Sequence, residues 1–292
     1  MQGNSKPTHV PPIKCQGIKT KLVPFILNNI DWDGVGTYIE PCMGSGVVAF
    51  NLCPRKALLC DTNPHIINFY QSIKNKSITE TSVKEYLQVQ NNLLLKDGNH
   101  YYEVRSRFNE YHSSFDFLFL NRACFNGLMR FNSRGEFNVP FCKKPNRFSK
   151  SYITKIVNQV KYVSDLICKN DYTFEVQDLA MTLSKASVGD FVYIDPPYET
   201  RFSGYYDKWP DGGTKSLINS CIDLPCDFAI STWVKNKYRE NDILRELPAE
   251  LNLLTTEHFY HLGSTENLRN SVTEGLIVRN KKMSEIILTT EG

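Results

Sequence analysis

The stretch from Gly36 to Asp61 restricts the fold of this chain more than any other part of it. Gly36-Thr37-Tyr38-Ile39 reads as a short strand and runs directly into Glu40-Pro41-Cys42-Met43-Gly44-Ser45-Gly46. Val47 to Leu52 begins a helix, Ala57-Leu58-Leu59-Cys60 is a second strand, and Asp61 ends it. Strand, glycine turn, helix, strand and acid are the parts of a mononucleotide-binding βαβ unit, whose two strands run parallel. A chain built this way forms an open α/β sheet and binds ligands beyond the carboxyl ends of its strands.

The rest of the chain fits that frame. Tyr172 to Val176 leads into Gln177-Asp178, and Phe191-Val192-Tyr193-Ile194 leads into Asp195; Phe228 to Thr232 and Glu274 to Val278 supply later strands. Helical spacing marks Leu22, Phe25, Ile26 and Ile30, then Ile66, Ile67 and Tyr70 after Asn63-Pro64, and then Tyr152, Ile156, Val160, Val163 and Ile167. Between about 75 and 120 the pattern is helical, with Leu93-Leu94-Leu95 and Phe115 to Leu120 as core candidates. From Asn121 to Ser149 periodicity fails, which predicts a hairpin or long functional loop. The expected architecture is an α/β, Rossmann-like sheet domain formed by 1–74 and 151–292, with a helical and hairpin unit at 75–150 inserted into it. The first dozen residues read as a flexible arm.

Composition excludes several classes. With 41% hydrophobic and 22% charged residues the chain is not a disordered one. No run of about 18 apolar residues and no apolar leader is present, so a cytoplasmic protein without a membrane span is expected. Nine cysteines, an odd number without C-x-x-C pairs or a His cluster, read as reduced thiols rather than a metal site. Nothing points to an obligate protein partner, and a monomer is expected.

Four strand ends carry polar groups: Glu40, Asp61, Asp178 and Asp195. Asp61 lies 21 positions beyond Glu40, about the offset at which an acid reaches a ribose hydroxyl. Gly44 and Gly46 let the backbone pass close to a ligand. Alone, such a turn serves equally as a tight structural bend, and Ala49 stands where a dinucleotide fingerprint wants its third glycine. Glu40 beside the turn would repel a pyrophosphate, so a cationic nucleoside without phosphates suits the pocket better, and S-adenosylmethionine is one.

Asp195-Pro196-Pro197-Tyr198 follows a buried strand. The prolines donate no backbone hydrogen bond and fix their own φ, leaving rigid carbonyls beside the Asp195 carboxylate and the Tyr198 ring. Acceptors plus an aromatic plate suit a planar ring bearing an amino group. The lone pair of such a nitrogen is delocalised, and acceptors on both of its hydrogens favour the pyramidal, nucleophilic form. Catalysis of this kind is mostly positioning and electrostatics.

The positive charge is concentrated. Residues 121–150 hold Arg122, Arg130, Arg134, Lys143, Lys144, Arg147 and Lys150 against the single acid Glu136, in a chain whose net charge is only +3. That segment is expected to meet a polyanion. Asn121, Arg122, Asn126, Arg130, Asn132 and Arg134 hold the arginine and asparagine vocabulary that reads guanine and adenine edges. Lys143, Lys144 and Arg147 suit phosphate.

With these residues in view, the chain resembles the Dam-like family of N6-adenine DNA methyltransferases, from Lys14 to Asn280. The likeness rests on Lys14 to Lys19, Glu40 to Gly46, Asp61-Thr62-Asn63, Asn121 to Arg130, Gly135-Glu136-Phe137-Asn138-Val139-Pro140 and Asp195 to Tyr198. It implies S-adenosylmethionine as methyl donor and double-stranded DNA as substrate, with the target adenine flipped out of the stack onto Tyr198. It places Cys15, Lys19, Glu40, Cys42, Gly44, Gly46, Asp61, Asp178 and Asp195 at the cofactor, and Asp195 to Tyr198 in catalysis. It makes Asn126, Leu128 and Arg130 DNA contacts on an inserted hairpin, and Lys14 a second base contact outside it. Cys15 and Cys42 depart from the aromatic residues usual there. Within the family the likeness is to the modification enzyme of a type II restriction system, which implies a GATATC-like site.

Two other functions share parts of this pattern. A protein glutamine methyltransferase faces the same amide chemistry, but favours asparagine where Asp195 stands and needs no basic insert. A non-catalytic DNA-binding relic would not be expected to retain the carboxylates of Asp61 and Asp195.

Overall fold

The computed structural model describes residues 7–197, 213–235, 239–259 and 271–279. Its seven strands are β1 (Tyr38–Glu40), β2 (Lys56–Asp61), β3 (Asp171–Val176), β4 (Phe191–Ile194), β5 (Asp227–Lys235), β6 (Asn252–Phe259) and β7 (Ser271–Arg279). They form one sheet in the order β3-β2-β1-β4-β5-β7-β6. The first five are mutually parallel, and β7 pairs antiparallel with both β5 and β6. This α/β sheet is the one expected of an S-adenosylmethionine-dependent methyltransferase. The strand order reverses between β1 and β4, the topological switch point at which such sheets hold ligands.

All four residues of β4 are buried, the pattern of a parallel strand covered on both faces. Helices α1 (Val23–Asn28), α2 (Ala49–Leu52), α3 (Pro64–Lys74) and α7 (Lys150–Lys169) contribute to one apolar core, and α9 (Gly213–Ile222) to the other. In α7 the buried Ile153, Ile156, Val160, Val163 and Ile167 recur every three or four residues, an amphipathic stripe. Asn63 caps α3, accepting from the His65 amide at 3.0 Å, and Pro64 opens the helix.

Between β2 and β3 the chain adds α4 (Glu80–Lys96), α5 (His100–Tyr111) and α6 (Ser114–Ala123), with α8 (Leu179–Leu183) following β3. The buried faces of α4 to α6 join the same core as α3 and α7, through Val83, Leu87, Leu94, Phe108, Phe117 and Phe119. Two expectations change here. Of Leu93-Leu94-Leu95 only Leu94 is buried, because consecutive residues on a helix diverge by about 100°. The irregular segment also begins later than expected, since Asn121, Arg122 and Ala123 form the last turn of α6. The hairpin then runs from Cys124 to Phe141, bridged at Cys124 with Phe141 and at Phe131 with Phe137.

No helix among the described residues is long and apolar enough to cross a membrane.

Candidate active site

Parallel strands deliver their carboxyl ends to one edge of the sheet. β2 ends on Asp61, β1 on Glu40, and Asp195 directly follows β4, so three acids from adjacent strands meet at the switch point. Because alternate strand residues share a face, Tyr38 lies with Glu40 and its hydroxyl donates to Glu40 Oε2 at 3.0 Å. Glu40 is 2% exposed. Burial pushes its carboxyl well above the usual range, the Tyr38 bond opposes this, and the neighbouring Asp195 and Asp61 add to it.

Asp61 braces the turn after β1. Its Oδ2 accepts from the Gly44 amide at 2.8 Å and its Oδ1 from the Asn63 amide at 2.9 Å. The Met43 amide donates to the Cys60 carbonyl at 2.8 Å, and the Tyr70 hydroxyl to the Ser45 carbonyl at 2.6 Å. The turn therefore enters α2 in one fixed shape. Gly46 adopts φ +71°, and a Cβ there would lie 2.5 Å from Cε2 of the fully buried Phe50 ring. Gly46→Ala is therefore expected to cost about 2–3 kcal/mol, from left-handed strain plus overpacking, read as a lower urea midpoint. An unchanged midpoint would show that the turn tolerates another path.

Asp195 is held by a cation. Lys19 Nζ lies 2.8 Å from Asp195 Oδ1, and Lys19 itself is 4% exposed. Burial raises the Asp195 pKa, while the Lys19 charge and hydrogen bond lower it, with a net rise. The segment carrying Lys19 also brings Cys15 against Gly44. Burial, and then the Asp61 and Asp195 charges, push the thiols of Cys15 and Cys42 well up. Both stay protonated and serve as packing, not as nucleophiles. Pro196 and Pro197 follow Asp195 without forming a strand. Tyr198 lies outside the described residues.

Asp178 is exposed beyond β3 and caps α8, accepting from the Met181 amide at 2.8 Å. Sequence reasoning overlooked Tyr38, Tyr70 and Tyr193, whose hydroxyl meets Ser231 Oγ at 2.7 Å. The i, i+2 spacing of Tyr38 with Glu40 was a usable signal. The other two partners are distant in sequence and gave none.

The donor set fits a cationic nucleoside. Three carboxylates face the switch point, and the one lysine among the site residues is already paired with Asp195. Glu40, Asp61 and the Gly44–Gly46 turn are the groups available to hold such a ligand.

The hairpin beside this site sorts the remaining residues. Asn121 is fully buried, and its amide brackets the Lys14 peptide, accepting from Lys14 N and donating to Lys14 O, both at 2.8 Å. Arg122 is 2% exposed; its guanidinium donates to the Pro12 carbonyl at 2.6 Å, Gln159 Oε1 at 2.5 Å, the Pro11 carbonyl at 3.3 Å and the Tyr152 hydroxyl at 3.4 Å. Both had been expected to touch a nucleic acid. Their place in the last turn of α6 turns them inward to hold the 11–14 segment instead.

Asn132 also works within the protein. Its Oδ1 accepts from the Arg134 and Glu136 amides, and its Nδ2 donates to Glu136 Oε2 at 2.7 Å, which shapes the hairpin tip. Arg134 is exposed there and pairs with Glu136 at 3.0 Å. Arg130 is exposed on the hairpin, with Nε donating to Asn138 Oδ1 at 2.9 Å. Asn126 is exposed with φ +54°, and Leu128 is half-buried. Gly127 lets Lys14 lie across this stretch, for a Cβ at Gly127 would fall 2.7 Å from Lys14 Cδ. Lys14, Asn126, Leu128 and Arg130 thus gather on one limb of the hairpin. Lys143 and Lys144 are exposed beyond its second limb. Arg147 is half-buried, donating to the Arg122 carbonyl at 2.7 Å and to the Tyr152 hydroxyl at 3.1 Å.

Residues 16–262 match the model of the D12 class N6 adenine-specific DNA methyltransferases. The chain is 30% identical over 210 residues to the type II methyltransferase M.MjaIII of Methanocaldococcus jannaschii, covering 65% of this chain and 69% of that one. It is 33% identical over 211 residues to the DNA adenine methylase of Haemophilus influenzae, 68% of each chain. With the type II methyltransferase M1.LlaDCHI of Lactococcus lactis subsp. cremoris it shares 25% identity over 286 residues, 92% of this chain and 95% of that one.

Proposed function

We propose, for a chain that belongs to the D12 class N6 adenine-specific DNA methyltransferase family, that it methylates the exocyclic nitrogen of an adenine flipped out of double-stranded DNA, with S-adenosylmethionine as donor. The observation that carries this reading is the Lys19-tethered Asp195 beside Pro196, at the sheet edge shared with Glu40 and Asp61. When bound, the donor supplies an electrophilic methyl on a cationic sulfur. Glu40 and Asp61 would hold its charged and ribose parts, Gly44 and Gly46 would let it approach, and Cys15, Cys42 and Asp178 would complete its pocket.

The protein's own part is to position the acceptor. Asp195 and the Pro196 carbonyl accept the two amino hydrogens, which turns the nitrogen lone pair outward, while Pro197 keeps the loop rigid and Tyr198 stacks on the ring. Little base strength is needed, because the proton leaves only after the nitrogen has become cationic, and the raised pKa of Asp195 suits it to take that proton. Lys14, Asn126, Leu128 and Arg130 read or part the base pairs, Arg134 reaches DNA from the hairpin tip, and Lys143, Lys144 and Arg147 hold phosphate.

In this reading residues 75–150 form the recognition unit, the protein acts as a monomer in the cytoplasm, and it is the modification enzyme of a type II restriction system. The names of the M.MjaIII and M1.LlaDCHI relatives favour that role. The motifs resemble those of the EcoRV modification methyltransferase, which makes a GATATC-like site the first to test. Labelled methyl from S-adenosylmethionine should enter unmethylated duplex containing GATATC, and base mapping should return N6-methyladenine. Label on another base, or none on any duplex, would sink the reading.

A further inference from the structure

A cationic cluster is gathered around one phenol beside the hairpin. Three side chains converge on the phenol of Tyr152. Arg147 lies over its ring at 4.7 Å and Arg122 at 5.8 Å, both guanidiniums donate to its hydroxyl, and the Lys14 ammonium is close enough to feel its charge. Burial, and then the Arg147 and Arg122 charges against the opposing Tyr152, hold Lys14 below its ordinary pKa. Burial of Tyr152 works the other way, yet Arg122, Lys14 and Arg147 together bring its phenol below the usual value. The principal charges acting on these groups come from one another and from Tyr70; no carboxylate is among them. Like charges gathered on a neutral phenol form an arrangement whose counter-charge comes from elsewhere.

The cluster opens onto a solvent-accessible cavity of about 430 Å³, lined by Lys144, Arg147, Ser149, Ser151, Tyr152 and Lys155, with no acid among the described residues of its wall. A second cavity of about 460 Å³ shares Ser151 and Lys155 and continues along the exposed face of α7 past Thr154 and Asn158. Ammonium, guanidinium, hydroxyl and amide donors are the groups that bond phosphate oxygens without reading sequence. The cavity adjoins the cluster through Tyr152 and Arg147. We propose that this cavity binds phosphodiester groups of the DNA strand flanking the recognition sequence, with Lys155, Ser149 and Ser151 as contacts and Tyr152 as the positioning residue that holds Arg147 beside them. The inference rests on the DNA-substrate reading above and extends the footprint along α7. It also gives Arg122 a part, as a buried charge that raises the potential of the cavity without touching the ligand.

The test is the salt dependence of binding by the full chain. Each phosphate contact contributes about 0.9 to the slope of log affinity against log salt. Lys155 is exposed on α7, and alanine suits that helix. Lys155→Ala should therefore flatten the slope by about one and weaken cognate duplex several-fold, with preference over one-base-changed duplexes unaltered, while Lys155→Arg keeps the wild-type slope. In a methylphosphonate scan, one flanking position should weaken the wild type but cost Lys155→Ala nothing further. An unchanged slope, with no flanking position that behaves this way, overturns the proposal, as does a change in sequence preference. Wild-type protein that methylates its site while Lys155→Ala keeps the full slope removes the phosphate site alone. Wild-type protein that binds duplex with this salt signature but transfers no methyl removes the reaction and leaves the site standing.

Discussion

Asp195→Ala should bind duplex DNA and cofactor with near-normal affinity yet lose at least about 10²–10³-fold in kcat, the size of effect seen when one preorganised polar group at a reacting centre is removed. The adenine amino group does not need a strong base. It needs two acceptors in fixed positions, and alanine leaves only the Pro196 carbonyl. The loss should fall on kcat rather than KM, since the acceptor acts most strongly as charge develops on nitrogen. Single-turnover methyl transfer checks this, and near-normal turnover would remove Asp195 from the mechanism. The ionised form of Asp195 is the working one, so activity disappears as pH falls through its pKa. Burial holds that pKa above the ordinary carboxylate value against the pull of Lys19. The acid limb of kcat/KM should therefore lie above that of an exposed aspartate. The sign for stability is opposite to that of a typical surface acid. A raised folded pKa contributes stability at acid pH, and that contribution is lost as pH rises through it.

Arg122→Ala should cost about 3–5 kcal/mol of stability, on the order of 10 °C in Tm, because it strips a hydrogen-bonding partner from Gln159 Oε1, the Tyr152 hydroxyl and the carbonyls of Pro11 and Pro12. Arg122→Lys should restore little, since an ammonium cannot span that fork of acceptors. Thermal unfolding checks both. A residue whose only task was to contact DNA would leave Tm unchanged and lower affinity alone. The damage should also reach Lys14, because Arg122 and Asn121 together hold the segment that carries it across Gly127.

Asn121 and Arg122 mark the boundary of what could be read in advance. Both sit in a run rich in basic and amide residues, beside Asn126 and Arg130, which do face outward from the hairpin. Nothing in the local pattern separates the two pairs. The difference is one of partners more than a hundred positions away, for Asn121 and Arg122 meet Pro11 to Lys14. Asn132 and Arg134 were ambiguous for a related reason, since an asparagine that shapes a turn and one that reads a base look alike in a string of letters. Strand β6 escaped notice because Asn252 to Phe259, which pairs with β7, carries little alternation of its own.

The stretch from Gly36 to Asp61 behaved differently. Its strand, glycine turn, helix, strand and acid are all local signals, set by residue shape, backbone freedom and period, and they determined the parallel βαβ unit and the acids at its edge from sequence alone. The same holds for Phe191 to Pro197, where four apolar residues and two prolines dictate a buried strand with a rigid exit. Only the tertiary structure decided that Lys19 pairs with Asp195, that Asp61 ties down Gly44, and that Tyr152 draws Lys14, Arg122 and Arg147 together. These are meetings between groups far apart in the chain. Their energies depend on distance and burial, and neither quantity exists until the sheet has brought its strand ends side by side.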